Sequence, residues 1–291
     1  MLQLLVSGLA VGSVYALVAL GYNAIFRTSQ VVNFAQGDLL MIAALLSVGL
    51  YTWFDMSVWL AFPLAVGLAI CAGLLVERLA VRPLHGSGVN SVGWIVTTLG
   101  AGITIRATAF LVWGSRDAPM PKYLGGGRVW HVAGVAVSQD EVQVIIAVVV
   151  ILAILEAVNR YTTVGKALRA IACDREMARL VGIPAQRMIV ASFALGAGLA
   201  AIGGILLTNM EVSSPQMGID IGLKGFAAAA LGGLGSPLGG VLGGLIIGLA
   251  EVLGAFYVSS AIKDAIALAL LFVLLLIKPE GLLGRYAMEK V

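Results

Sequence analysis

Uncharged apolar runs of roughly membrane-spanning length alternate with short polar or glycine-containing breaks along the whole chain. A helix rises about 1.5 Å per residue, so about 20 apolar residues cross a hydrocarbon core. That rule predicts spans near 2–24, 37–54, 58–77, 92–113, 142–159, 188–210, 238–257 and 261–277. A further apolar segment, 219–232, is short and rich in glycine and alanine. It runs into Gly232-Gly233-Leu234-Gly235-Ser236-Pro237, which breaks a helix. This segment reads as a short or re-entrant element, tolerated at membrane depth only where protein or a water-filled path covers it. The predicted fold class is all-α: a polytopic membrane helix bundle of about eight transmembrane helices plus one short or re-entrant glycine-rich segment. One domain, 1–291, holds all of it, with a polar segment 160–187 inside.

Composition supports lipid as the main solvent. Only 11% of residues are charged and 60% are hydrophobic, against about 25% charged in soluble domains. Mean hydropathy is +1.02, more apolar side chain than a soluble fold of this size could bury. Residues 1–10 contain no Lys or Arg, so the first segment is expected to stay as a membrane helix rather than to be cleaved as a signal. Cys71 and Cys173 form no C-x-x-C spacing, and His85 and His131 are isolated, so neither a disulfide framework nor a metal site is expected.

Orientation follows from the basic residues. With 160–187 in the cytoplasm, 12 of the 18 Lys and Arg fall on that side, and three, Arg116, Lys122 and Arg128, in the outer loop 114–141. Arg106, Lys224 and Lys263 make up the rest. The bias predicts an outer N-terminus and a cytoplasmic C-terminus, the latter only if 219–232 crosses. The outer loop contains Pro119, Pro121 and Gly125-Gly126-Gly127. Alternating apolar residues follow, read as a turn and a short hairpin, a solvated connector or a partner-binding loop.

The polar segment carries the most information. Thr163 can cap one short helix and Asp174 a second, which Gly182 stops and Pro184 keeps from resuming. A two-turn helix is too short to stand alone. Met177, Leu180 and Val181 lie beside Arg175 and Arg179. The pattern fits a small amphipathic plug for a soluble partner. It equally fits a basic loop that sets topology and touches anionic headgroups.

Four stretches then resemble one family. Glu176-x-Ala178-x-x-x-Gly182 is similar to the coupling motif of ABC-importer membrane subunits, with Met177 in place of the usual second residue of the motif. Gly21-Tyr22-Asn23 with Val32-Asn33-Phe34-Ala35-Gln36-Gly37-Asp38 resembles a signature of branched-chain amino acid permeases, with Gln36 for His and Asp38 for Glu. The stretch Phe226–Ser236 followed by Gly239-Gly240 resembles that family's glycine-rich segment, and Ile277–Gly284 its C-terminal ending. The matches keep the family's order and cover nearly the whole chain.

The resemblance implies an inner-membrane permease subunit, no enzyme itself. Its expected partners are a second permease, identical or homologous, two cytoplasmic ATPase subunits and a periplasmic substrate-binding protein. It implies an ATPase-coupling role for Gly165, Arg169, Asp174, Arg175, Glu176, Ala178, Arg179 and Gly182. It implies a branched-chain or other neutral amino acid as cargo, with urea and short amides as alternatives.

Other residues carry path or packing expectations. Arg106 and Glu251 each sit about 20 Å from the cytoplasmic end of their spans, where an isolated charge costs at least about 2.5–3.5 kcal/mol. Equal depth predicts that they neutralise each other, or that either lines the solute path. Asn33, Gln36 and Asp38 surround the start of the second span, as helix caps or as polar lining. Glu77-Arg78 and Lys263-Asp264 read as solvated interfacial charges. Gly240, Gly244 and Gly248 repeat at four-residue spacing, as do Gly8 and Gly12, a pattern for close helix packing in lipid.

The chain lacks G-x-x-x-x-G-K-[ST], so ATP hydrolysis is expected on separate subunits, with no cofactor here. It lacks H-E-x-x-H, G-x-S-x-G and a basic patch with aromatics, which argues against a membrane enzyme or nucleic-acid binding. An ion-coupled secondary transporter is the alternative, marked by an inverted repeat and acidic residues in the spans.

Overall fold

The computed structural model describes residues 1–84, 91–115, 129–132, 135–260 and 263–284. His85, Pro119, Pro121, Gly125–Gly127, Arg116, Lys122, Arg128, Arg285 and Lys290 lie outside the described residues. Among the described residues, seven helices are long and apolar enough to cross a membrane. They are α1 (Leu2–Ser29), α2 (Gln36–Phe54), α3 (Val58–Val76, prolonged by a π-helical turn Glu77–Val81), α4 (Ser91–Trp113), α5 (Gln139–Tyr161), α8 (Ala185–Leu207) and α10 (Pro237–Tyr257). Two short helices, α6 (Thr163–Cys173) and α7 (Arg175–Leu180), fill the polar segment. Two shorter apolar helices complete the bundle, α9 (Met217–Gly232) and α11 (Lys263–Ile277). Between α4 and α5 lies an antiparallel hairpin, β1 (Val129–Val132) on β2 (Val135–Ser138), with Trp130 opposite Val137.

The core is α1, surrounded by α10, α8, α9 and α5, while α2 packs on α8, α3 and α9. Helices α3, α4 and α5 expose most of their surface. This is the arrangement a bundle takes when its outer helices face lipid or other subunits. Small residues make the central contact possible. Along the α1–α10 seam, a methyl group on Gly248 would collide with the Gly12 backbone, one on Gly244 with Ala16, and one on Gly12 with Gly244 and Leu245. In lipid, such close backbone approach replaces the hydrophobic effect as the source of helix affinity. Gly248→Ala is therefore expected to destabilise the bundle by about 1–3 kcal/mol, read as a lower midpoint on heating the detergent-solubilised protein. Gly67→Ala is the control, since a methyl there meets nothing within 4 Å. Equal midpoints for the two would remove the seam's importance.

The glycine-rich break is a clamped turn. Asn23 Nδ2 donates to Ser236 O at 3.0 Å, and its Oδ1 accepts from Gly235 N at 2.8 Å. Gly233 sits at φ 102°, a conformation that only glycine adopts without strain. The ending 278–284 folds back under α9, with Leu282 N donating to Leu231 O (2.8 Å) and Leu283 N to Gly232 O (3.0 Å). These bonds satisfy carbonyls that a helix end leaves open. They also place the ends of α9 and α11 on one side of the bundle. Helix α9 is thus one continuous helix about 24 Å long, antiparallel to α10, rather than a hairpin returning to the side it came from.

The buried irregular backbone lies elsewhere. Residues 30–35 connect α1 to α2, and Val31, Asn33 and Ala35 are buried. Gln36 begins α2 level with Gly21, because its Nε2 donates to Gly196 O (2.8 Å) and Gly196 lies against the Gly21 carbonyl. The connection therefore turns back about 12 Å into the bundle from the end of α1. A short or re-entrant element is expected at 219–232, and the short helix α9 is what forms there; re-entrance lies elsewhere. It occurs at 30–35, where surrounding helices cover the non-helical backbone.

Candidate functional site

The polar segment is built on local caps. Thr162, not Thr163, caps α6, its hydroxyl accepting from Gly165 N at 3.1 Å. The shift by one residue follows from Thr162 alone having extended backbone before the first helical turn. Asp174 Oδ1 accepts from Glu176 N and Met177 N, both at 3.0 Å, and starts α7. Gly182 at φ 85° turns the chain back, and Ile183 N donates to Ala178 O at 3.0 Å. Pro184 then precedes the first residue of α8.

Three of the residues expected to couple to an ATPase, Gly165, Arg169 and Ala178, point inward. Ala178 is buried with Ile171 and Ala185 in a small apolar cluster. Gly165 lies against Val158 and Asn159 of α5, where any side chain would collide, and Arg169 donates to Asn159 O. These contacts fasten α6 to α5 and α7 to α8. The exposed face of α7 presents Met177 (62% exposed), Leu180 (81%) and Val181 (76%), with Glu176 and Arg179 exposed beside them. Partial burial and the Arg179 cation lower the Arg175 pKa below its ordinary value. The face joins apolar knobs to cationic groups.

A second polar centre lies inside the bundle. Arg106 of α4 holds Asp38 of α2 through two bonds, Nε to Oδ1 at 2.9 Å and Nη2 to Oδ2 at 3.0 Å. The Asp38 carboxylate fits a slot made by Gly102 and Gly218, since a Cβ on either would meet its oxygens. Asn33 Oδ1 accepts from Ala35 N at 3.2 Å and so orders the connection, while Ala35 caps α2 without a side-chain bond. Neither Asn33 nor Asp38 is a helix cap in the expected sense. Asn33 Nδ2 and Gln36 Oε1 are buried without a hydrogen-bond partner among the described residues.

A third centre corrects the expected Arg106–Glu251 pair. Glu251, fully buried on α10, accepts from Tyr15 Oη (2.8 Å) and Lys224 Nζ (2.8 Å), and Lys263 Nζ lies 3.3 Å away. Lys224 also meets Asp264 at 2.7 Å, and Lys263 meets Glu211 at 3.5 Å. The pairing failed because α4 packs on α2, while α10 packs on α1, α9 and α11; similar depth does not make helices neighbours. Lys263 and Asp264 are thus tied into a network rather than free at an interface. Glu77 is buried and accepts from Gln186 Nε2 at 2.9 Å, which corrects its reading as solvated. Lys224 was the residue missed, although a lone cation in a glycine- and alanine-rich run was a visible signal. Gly240, Gly244 and Gly248 all face α1.

The family model for the branched-chain amino acid transport system permease component matches residues 4–277. The chain is 37% identical over 303 residues to the high-affinity branched-chain amino acid transport system permease protein LivH of Escherichia coli strain K12, covering 100% of this chain and 97% of that protein. It is 35% identical over 302 residues to the corresponding permease protein BraD of Pseudomonas aeruginosa, covering 100% and 98%. A solved chain of PsaBC from Streptococcus pneumoniae in complex with Fab superposes with a TM-score of 0.50 over 94% of this chain and 91% of that one. At 14% identity, that is a likeness of fold.

Proposed function

Because the chain belongs to the family of branched-chain amino acid permease components of ABC importers, we propose that its α6–α7 segment is the grip of a cytoplasmic ATPase. The cargo is a branched-chain amino acid, the class named for the full-length relatives, or another neutral amino acid. The orientation that serves this puts the N-terminus outside and the C-terminus, with α6–α7, in the cytoplasm. The complete importer then comprises two such permeases, two ATPases and an external binding protein that delivers the cargo.

The observation that carries this reading is the exposed apolar face of α7. Met177 and Leu180 are held outward on a six-residue helix and Val181 on the turn that caps it, and exposed aliphatic knobs on a fixed element are what a partner groove can bury. Force on α7 passes to α8 through the Ala178–Ala185 contact, and force on α6 passes to α5 through Gly165 and Arg169. Thr28 of α1 donates to Ser192 of α8 at 2.9 Å, which carries the motion into the central helix.

The test is Leu180→Asp with Val181→Asp, both on exposed positions where the bundle has nothing to lose. ATPase co-purification is expected to weaken by about 30-fold or more, as for loss of an interface hot spot, and cargo uptake to fall with it. The thermal midpoint of the permease should not move. Undiminished ATPase attachment and uptake in that variant would end the proposal.

A further inference from the structure

A groove of about 400 Å³ opens between α1, α5, α6, α8 and α10. Its floor is the central helix, which it follows from Leu20 to Arg27, about 10 Å. Its walls are aliphatic, with Leu155 from α5 and Leu199 from α8. Helix α5, on one lip, exposes most of its surface, and Leu238 of α10, also part of the lining, is 73% exposed. The mouth thus opens on the side of the bundle that meets the hydrocarbon of the bilayer. Water has too few polar partners in such a lining, whereas a hydrocarbon chain gains contact along it.

The α6 end of the groove has another character. Half-buried Arg27 stands there, and Arg169 of α6 lies within its electrostatic reach. Among the described residues, Arg27 makes no hydrogen bond or ion pair, unlike Arg106 and Lys224. The first turns of α6 and α10, at Gly165 and Pro237, meet at the same end. Helix N-termini carry partial positive charge, so they add to the guanidinium in favouring an anion. Glu156, exposed on α5, stands on the rim.

We infer that this groove seats one phosphatidylethanolamine molecule of the bilayer. One acyl chain lies along Leu20, Leu155 and Leu199, and the phosphate meets Arg27. That order of parts is the order of the bilayer, because Arg27 lies two residues from the end of α1, at the level of the headgroups. Glu156 favours the ammonium over a headgroup of net negative charge, by the small margin of an exposed group. Gly165 and Leu168 of α6 form part of the wall, so the seated lipid fills the space behind α6 and ties it to α1. The inference does not depend on which solute is carried.

The test incubates the full-length chain in detergent with palmitoyl-oleoyl phosphatidylethanolamine or with phosphatidylglycerol of the same chains, and native mass spectrometry counts the lipid retained. One phosphatidylethanolamine per chain is expected, held about 3-fold better than phosphatidylglycerol. Arg27→Gln should cut retention of both by about 10-fold, as for loss of a charge-assisted bond. Ala153→Trp should cut both as well, by filling the groove from an exposed position. Glu156→Gln should remove only the preference between the two lipids. Arg78→Gln, an exposed cation outside the groove, should change nothing. In membranes that hold the complete importer, irradiation of Ala153→p-benzoylphenylalanine should add the mass of one phospholipid to the chain. Unchanged retention in Arg27→Gln and Ala153→Trp overturns the site, as does an equal loss in Arg78→Gln. Equal retention of the two lipids overturns the headgroup assignment. Displacement of the lipid by millimolar inorganic phosphate reveals a free-anion site, and a crosslink from position 153 to the second permease reveals a protein in the groove. Either result overturns the inference.

Discussion

Arg106→Leu is expected to destabilise the folded permease by about 3–5 kcal/mol, the usual effect of removing one partner from a buried ion pair. Asp38 then keeps its carboxylate in the slot between Gly102 and Gly218 with no cation. Its side chain is 3% exposed and too short to reach water, so it must take a proton or open the slot. Arg106→Lys should lose less, since it retains the charge but not the two-point fit. The neutral double variant Asp38→Asn with Arg106→Gln should recover most of the loss, because two polar amides can still bond and no bare charge remains. Heating detergent-solubilised protein and quantifying the monodisperse fraction gives the ranking. A double variant no better than Arg106→Leu would show that the pair is not coupled in this way, since contacting groups must give a non-additive cycle.

Glu251→Gln has the second largest expected effect, also about 3–5 kcal/mol. Glu251 is the one fully buried acceptor shared by Tyr15, Lys224 and Lys263. Its neutralisation leaves two ammonium groups drawn to only Asp264 and Glu211, whose side chains are 76% and 50% exposed. Exposed partners hold a charge weakly. Lys224→Met should be milder, because Glu251 still keeps Tyr15 and Lys263. The same thermal measurement decides. A milder loss for Glu251→Gln than for Lys224→Met would mean that the network is centred on the lysine. Because the network joins α1, α9, α10 and α11, its rupture should also loosen α11, read as faster protease cleavage near 258–264.

Both centres were only half visible in the chain. Arg106 and Glu251 stood out because each charge interrupts an apolar run, and hydrophobicity is a property of the run itself. Their partners did not stand out. Asp38 lies two residues into α2, where an acid usually serves a helix start. Its depth became evident only when the 30–35 connection folded back into the bundle. Depth counted along a straight span cannot detect such a turn. Ala178 gives the converse lesson. The motif assigned it to a coupling segment, and packing turned it inward to support the exposed Leu180 and Val181.

The sequence by itself determined the solvent, the number and order of the apolar helices, the caps at Asp174 and Gly182, and the small-residue faces of α1 and α10. Each follows from interactions between residues a few positions apart, or from composition averaged over a helix. Only the tertiary structure decided that Arg106 meets Asp38, that Glu251 meets Lys224, and that Asn23 clamps a turn more than 200 residues away. Those contacts depend on which helices become neighbours. In a membrane that is set by backbone fit and the need to pair every buried charge, and neither has a fixed spacing along the chain.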